Sequence, residues 1–571
     1  MQKTIFSSLL FTFLTLSVFA QNGSWGEFPM VPNNSFHARR AAANKIKDTP
    51  AYYKALAVYE RLREARGDHR YPVPAFYMTQ KETVAEISYG ENVIYLSEKA
   101  FKVCESFGRD SEAAIAFLLG HELTHYYEKH AWRSNFSMDY SELSLVKEID
   151  STFNVLVKNA ADPATRKLLM RFDTLLLNLS DASMEAQSDY LGGFLAYSAG
   201  YGAFRQGDEL IKRLYTEFGI PEQTSGYMTR SERQNLSRRS AEQLQNLVEV
   251  FEMANMLTAV GQYEDAYRYY RTVLSEYQSR EVYNNVGATA LLQALKLFKA
   301  EEVKFRYPVQ LDLEMANTRG AEEEEQRKKL LRQAIQHFDA AISLDPNYAP
   351  AYLNKACALA LLGDPIRARY YADVEARRAA TGKYAGSLPS IEILLGILDA
   401  ESGTEEGKEK AKARFSAAAQ NGANTLANYN LAVLQNQSPP AAPTEGLSFF
   451  DEETIDGKAA AGLLYPEEDK MLQIDETITF HQNTKQGKHS RLYFNRRGGK
   501  TNIVFLATTT DYPGETARGI KINAARAEVE KQYGPAPRSI MTTTGELLVY
   551  PDVLFVMKND QVEKWVLVKK F

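Results

Sequence analysis

Small and aromatic side chains recur at fixed offsets through the middle of this chain, and that recurrence limits its fold more than any other feature. Gly261, Tyr263, Ala266, Tyr270 and Val273 fall at offsets 0, 2, 5, 9 and 12. Ala334, Phe338, Ala341 and Pro346 repeat the later part of the series, and Tyr352, Gly363, Ala368 and Ala372 continue it. Ala411, Phe415 and Ala418 show it once more. Small residues at such places let paired helices approach closely while aromatics fill the space between pairs, so residues 249–436 are expected to stack as a helical array. Residues 304–325 fit poorly and read as an insertion. An array of this kind presents a binding surface and brings no chemistry of its own.

The rest of the chain divides around that array. At 571 residues it is too long for one core. Lys3, the apolar run Ile5 to Phe19 and the small-residue end Val18-Phe19-Ala20 predict a cleaved signal peptide over 1–20, hence a periplasmic or secreted protein. The run is shorter than the roughly 20 residues that span a bilayer, and no transmembrane segment is expected after cleavage. A net charge of -5 supplies no basic face for nucleic acid. The two cysteines, Cys104 and Cys357, are expected as buried free thiols.

Residues 21–50 read as a leader. Residues 51–248 are mainly helical with one β signal, Val84 to Tyr89 and Val93 to Leu96 around the turn Gly90-Glu91-Asn92. Residues 437–446 are a Pro-rich linker by composition. Residues 447–571 read as a small α+β domain, with strands over 501–507, 546–550, 553–557 and 562–568, a hairpin turn at Asn559-Asp560, and a helix over 524–533 capped by Asn523. His481 and His489 there have no acid or cysteine at ligand spacing and are expected as solvent-exposed strand residues.

The chemistry lies at His121-Glu122-Leu123-Thr124-His125. A helix opened by Asp110 or Ser111 and running to about Trp132 carries it, and residues four apart share a helix face, so both imidazoles can bind one zinc ion. Glu122 flanks that metal and can accept a proton from an attacking water. A catalytic site needs a third protein ligand and one open position. A glycine and a third histidine shortly downstream would be one solution, but Glu128 and Ala131 stand there instead. His130 points off the metal face and is read as structural or as supporting a ligand. A carboxylate from another helix is the alternative. On the helix expected from Ser180 or Asp181 to Ala199, Glu185 and Asp189 are four apart and share a face, one able to reach a metal and the other to orient a ligand histidine. The residues alone do not single out this pair among the 72 acids.

The ordered set His121-Glu122-x-x-His125-x-x-x-x-His130, Glu185-x-x-x-Asp189-x-x-Gly192 and Ala199-Gly200-Tyr201 closely resembles the HtpX/BepA-like gluzincin metallopeptidases, over roughly residues 70 to 215. The resemblance implies His121, His125 and Glu185 as zinc ligands, Asp189 behind them and Glu122 as the catalytic base. It also implies an edge strand near Val84, Ala85, Glu86 and Ile87 along which substrate aligns. Two departures stand out: Ser188 where the family usually has alanine, and Val84-Ala85-Glu86 where an asparagine-alanine pair is usual. The second bears on substrate alignment. The repeats resemble tetratricopeptide repeats.

The fold class expected is therefore mainly α: a zincin-like α+β metalloprotease domain, an α-solenoid of tetratricopeptide-like repeats, and a small C-terminal α+β domain. The function implied is a zinc-dependent endopeptidase acting on unfolded or misassembled envelope proteins in protein quality control, with protein or peptide substrates and a protein partner recruited by the repeats. The competing class is a repeat-based scaffold or chaperone with a latent protease domain.

Overall fold

The computed structural model describes residues 45–81, 83–89, 91–128, 181–202, 204–220, 229–299, 302–309, 321–420, 424–438, 453–459, 470–487, 489–542 and 545–571. The signal-peptide segment, most of the leader, His130 and residues 439–446 of the linker lie outside the described residues. Among the described residues no helix is long and apolar enough to cross a membrane.

The protease fold begins earlier than residue 51. Strand β1 (Lys45–Ile46) pairs antiparallel with β2 (Ala75–Thr79), and helix α1 (Pro50–Arg66) starts inside the expected leader. Its start follows from local chemistry. The Thr49 side chain accepts from the Tyr52 amide at 3.1 Å, and Pro50 sits where a missing donor costs nothing. Gly67 at φ 57° ends the helix. The sheet has the order β1-β2-β4-β3, with β3 (Ala85–Ser88) antiparallel to β4 (Val93–Ser97) and β2 parallel to β4. Two of its four strands, β1 and β2, lay outside the single β signal, because runs this short carry too few alternations to register. The strand expected at 84–89 is present as β3, and it lies at the sheet's edge.

Behind the sheet come α2 (Glu98–Glu105), α3 (Ser111–Tyr127) and α4 (Asp181–Ala196). The last runs into a π-turn, Tyr197–Tyr201, with Gly200 at φ 86°. Next are α5 (Gly207–Glu217) and α6 (Arg230–Ala259). The boundary placed at 248/249 falls inside α6, whose continuous amphipathic face serves both sides.

The array pairs α6 with α7 (Tyr263–Glu276) and α8 (Arg280–Lys296) with α9 (Ala321–Leu344). It continues with α10 (Ala349–Leu361) and α11 (Pro365–Tyr370, then a π-turn Tyr371–Ala376). Then come α12 (Leu388–Ala400), α13 (Glu405–Gln420) and α14 (Asn424–Leu434). The predicted insertion falls between α8 and α9, although α9 is under way by Ala321. The small residues act as the sequence implies. Ala266, Ala334, Ala341, Ala368, Ala411 and Ala418 are fully buried. A Cβ on Gly287 would stand 2.6 Å from the Phe338 ring, and one on Gly396 would stand 2.6 Å from the Phe415 ring.

The C-terminal domain is larger in sheet than the sequence indicated: eight antiparallel strands in the order β11-β12-β13-β14-β10-β9-β8-β7. A separate short pair, β5 (Thr454–Ile455) and β6 (Lys458–Ala459), precedes this sheet. Strands β7 (Lys470–Gln473), β8 (Ile478–Gly487), β9 (Ser490–Arg497) and β11 (Arg538–Thr542) were not foreseen. Those at β10 (Lys500–Thr508), β12 (Gly545–Val549), β13 (Val553–Lys558) and β14 (Gln561–Lys570) were. Asn559 and Asp560 make the hairpin turn, both at positive φ. Helix α15 starts at Arg526 rather than Ala524, because Ala525 is still extended, at φ -71° and ψ 153°, and stands at the N-cap in place of Asn523. The sheet is covered on both faces. Ile503, Phe505 and Ala507 join the core shared with the helices, whereas Val504 and Leu506 join Trp565 and Val529 of α15 on the other side. That double cover explains His481, which is buried and stacked 4.9 Å from the Phe494 ring rather than exposed. Both cysteines are free and buried.

Candidate metal centre

Helix α3 places His121 and His125 one above the other, with ring centroids 4.6 Å apart and Nε2 atoms 2.9 Å apart. Helix α4 crosses it and brings Glu185 to both: Oε2 lies 3.4 Å from His121 Nε2 and Oε1 lies 3.3 Å from His125 Nε2. The three donor atoms fall within 4.8 Å of one another, so the structure brings together the residues the resemblance grouped. Asp189, one turn on from Glu185, lies buried with Oδ1 2.8 Å from His121 Nδ1. That contact orients the imidazole and keeps Nε2 aimed at the common point. His130 lies outside the described residues, so its role stays with the sequence reading.

Arg233, on the first turn of α6, was not foreseen. Its guanidinium grips Asp189 with Nη1 2.5 Å from Oδ2 and Nη2 2.8 Å from Oδ1, and Nη2 lies 3.4 Å from Glu185 Oε2. Only the helix start had a local signal. Thr229 and Glu232 form a reciprocal capping box at the N-terminus of α6. That pattern locates the helix but not the partner of its arginine, 44 residues from Asp189 in sequence.

The electrostatics are those of a cation site. Burial opposes charge on His121, but Glu185 and Asp189 outweigh it and push the imidazole up to about 10. Burial likewise works against the Glu185 carboxylate, yet His121, His125 and Arg233 hold it far below the usual range. Two imidazole nitrogens 2.9 Å apart and a carboxylate favour a cation between them, and His-His-Glu is a zinc donor set that leaves one position open. The residues fit the metal.

Glu122 faces a different neighbour. Burial raises its carboxyl pKa, opposed by His121, His125 and a hydrogen bond from the backbone of Ile87. Ile87 lies on edge strand β3, so the candidate base and the candidate substrate edge are adjacent. Tyr89, just beyond β3, donates its hydroxyl to the His125 carbonyl at 3.0 Å and ties the same edge to the histidine helix. Val84 precedes the strand and accepts from the Ser97 amide at 3.1 Å.

Two histidines on one helix, a carboxylate from a second and a glutamate between them define a metallopeptidase domain. The family follows from comparison: residues 88–227 match peptidase family M48, and residues 337–370 match the tetratricopeptide repeat. The chain thus combines an M48 metallopeptidase domain with tetratricopeptide repeats, which bears out the resemblance read from the sequence. No curated protein matches it.

Proposed function

We propose that this protein is a zinc-dependent endopeptidase of the periplasm or extracellular space, acting on unfolded or misassembled envelope proteins that its repeats recruit. The convergence of His121, His125 and Glu185 beside Glu122 carries the reading. A zinc ion held by those three residues would polarise a peptide carbonyl and acidify a water. Glu122 takes the proton of the attacking water and delivers it to the leaving amine nitrogen. Asp189 and Arg233 hold His121 and Glu185 in place while this happens.

An extended peptide aligns on the outer edge of β3, which pairs with no further strand among the described residues and where main-chain groups pair with little side-chain selectivity. That mode suits unfolded chains, which offer backbone without fixed shape. The predicted signal peptide is the support for an extracytoplasmic site.

The test is digestion of an unfolded, end-blocked protein by the zinc-loaded mature chain and by Glu122→Gln. The wild type is expected to cut internal bonds, and the variant to bind zinc but not cut. If neither cuts while zinc is bound, the proposal fails and the repeat-scaffold function replaces it.

A further inference from the structure

Helices α7 and α11 occupy equivalent places, each the second helix of its pair, two pairs apart. Gln262 and Asp364 stand at their N-caps, Gly261 and Gly363 precede these at φ 77° and 81°, and Ala266 and Ala368 are fully buried. Each pair is separated by 102 residues (364 − 262, 363 − 261, 368 − 266), two repeats of ~34 residues plus the insertion between α8 and α9.

The outward face of α7 is already an interface, because it holds the C-terminal sheet. Glu264 accepts from Arg497 Nη1 at 2.9 Å. Arg268 Nη1 reaches Asp475 Oδ2 at 2.8 Å and Thr477 Oγ1 at 3.0 Å. Thr272 Oγ1 donates to the Ile474 carbonyl at 3.3 Å. Adding 102 to these three positions gives Ile366, Tyr370 and Val374, the last inside the π-turn of α11. All three are exposed, Ile366 by 83% and the other two by 49% each, so among the described residues the equivalent face is uncovered and apolar. Among the described residues they are three of the eight exposed large hydrophobic side chains, all on one helix. A π-turn at this place fits a working surface, since such turns gather at functional sites.

The rim of the face is cationic. The Arg367 and Arg378 side chains extend outward, 67% and 49% exposed, beyond their acid partners Asp364 and Glu375 at 29% and 22%. Arg332 of α9 is exposed and lines a cleft with Leu362 and Ile366 at the start of α11. The chain's own sheet is excluded here, because Asp475, Thr477 and Arg497 would lose their polar partners against Ile366 and Tyr370.

We propose that the outward face of α11 docks a partner protein presenting an apolar β-sheet face with an acidic rim, in the way that α7 docks the chain's own sheet through polar contacts. The inference is independent of the peptidase reading, because it uses no residue of the metal centre.

The probe is a disulfide-closed β-hairpin peptide with valine and tyrosine on one face and glutamates along the rim, titrated against the full chain by fluorescence anisotropy. Saturable binding is expected, at least ten-fold weaker for Ile366→Ser/Tyr370→Ser and for a lysine-rimmed hairpin. Circular dichroism should show both proteins equally folded, since the substituted side chains are exposed. Equal binding by both proteins, no binding to the wild type, or tighter binding of a helical peptide of the same composition overturns the proposal. So does a wild-type dimer in sedimentation that the double variant converts to monomer, which would assign the face to a second copy of the chain.

Discussion

Gly120 on α3 and Gly192 on α4 lie backbone against backbone. A Cβ at position 120 would stand 2.6 Å from the Gly192 carbonyl oxygen, and one at 192 would stand 2.6 Å from the Gly120 carbonyl carbon and 2.7 Å from the His121 nitrogen. The close approach lets Glu185 reach both histidines, since any side chain at the crossing holds the helices apart. Gly192→Ala is expected to cost about 1–3 kcal/mol through overpacking and to weaken zinc binding by about ten-fold or more. Chelator competition together with urea unfolding checks both, and an unchanged zinc affinity would show that the crossing does not set the donor geometry.

Arg233 compensates a carboxylate that water cannot reach. Arg233→Met leaves the buried Asp189 with His121 as its remaining partner and one oxygen unsatisfied, which is expected to cost about 1–3 kcal/mol and about 10–100-fold in zinc affinity. Arg233→Lys should recover part of the stability and less of the affinity, because an ammonium cannot grip both oxygens of Asp189. Equal rescue of the two quantities would assign Arg233 to stability alone.

Zinc uptake should release a proton. His121 is pushed up to about 10 by Glu185 and Asp189 against the opposing effect of burial, so at pH 7.5 the metal-free imidazole is protonated. Binding needs its lone pair, so about one proton leaves and affinity rises about ten-fold per pH unit, levelling off above the folded pKa. Calorimetry in two buffers of different ionisation enthalpy reads this directly, and a buffer-independent heat near pH 7.5 would contradict it.

The seam between protease and repeats has its own rivet. Arg280 Nη1 lies 2.5 Å from Asp345 Oδ2 and Nη2 2.8 Å from the Glu64 carbonyl, while a Cβ on Gly67 would stand 2.4 Å from its Cζ. Arg280→Met leaves the buried Asp345 with the Asn347 amide on Oδ1 and no guanidinium on Oδ2, and is expected to cost about 1–3 kcal/mol. Limited proteolysis should then separate the two parts before either unfolds; cutting at the wild-type rate would place the coupling elsewhere, for instance at Arg66, which lies over the rings of both Tyr127 and Tyr277.

Legibility followed the range of the interaction. His121, Glu122 and His125 could be read directly because helical spacing sets their geometry within one turn. Glu185 and Asp189 were legible as a face but selected only by resemblance, since their partners are on another helix. Arg233 gave no signal: its bond to Asp189 joins two helices with no shared local pattern. His481 was misjudged because alternation along a strand says which residues share a face and not whether that face is covered. The boundary at 249 falls inside α6, which packs against helices on both sides of it.

By itself the sequence determined the helix that carries both histidines, the paired helices of the repeats and the hairpin at Asn559-Asp560, all fixed by steric and hydrogen-bonding rules acting over a few residues. Only the tertiary structure decided how Glu185 reaches both histidines, which arginine holds it and which outward helix face receives the C-terminal sheet. Those choices rest on contacts between segments 44 to 233 residues apart, where burial and charge pairing are set by how the elements pack and by nothing that neighbouring residues encode.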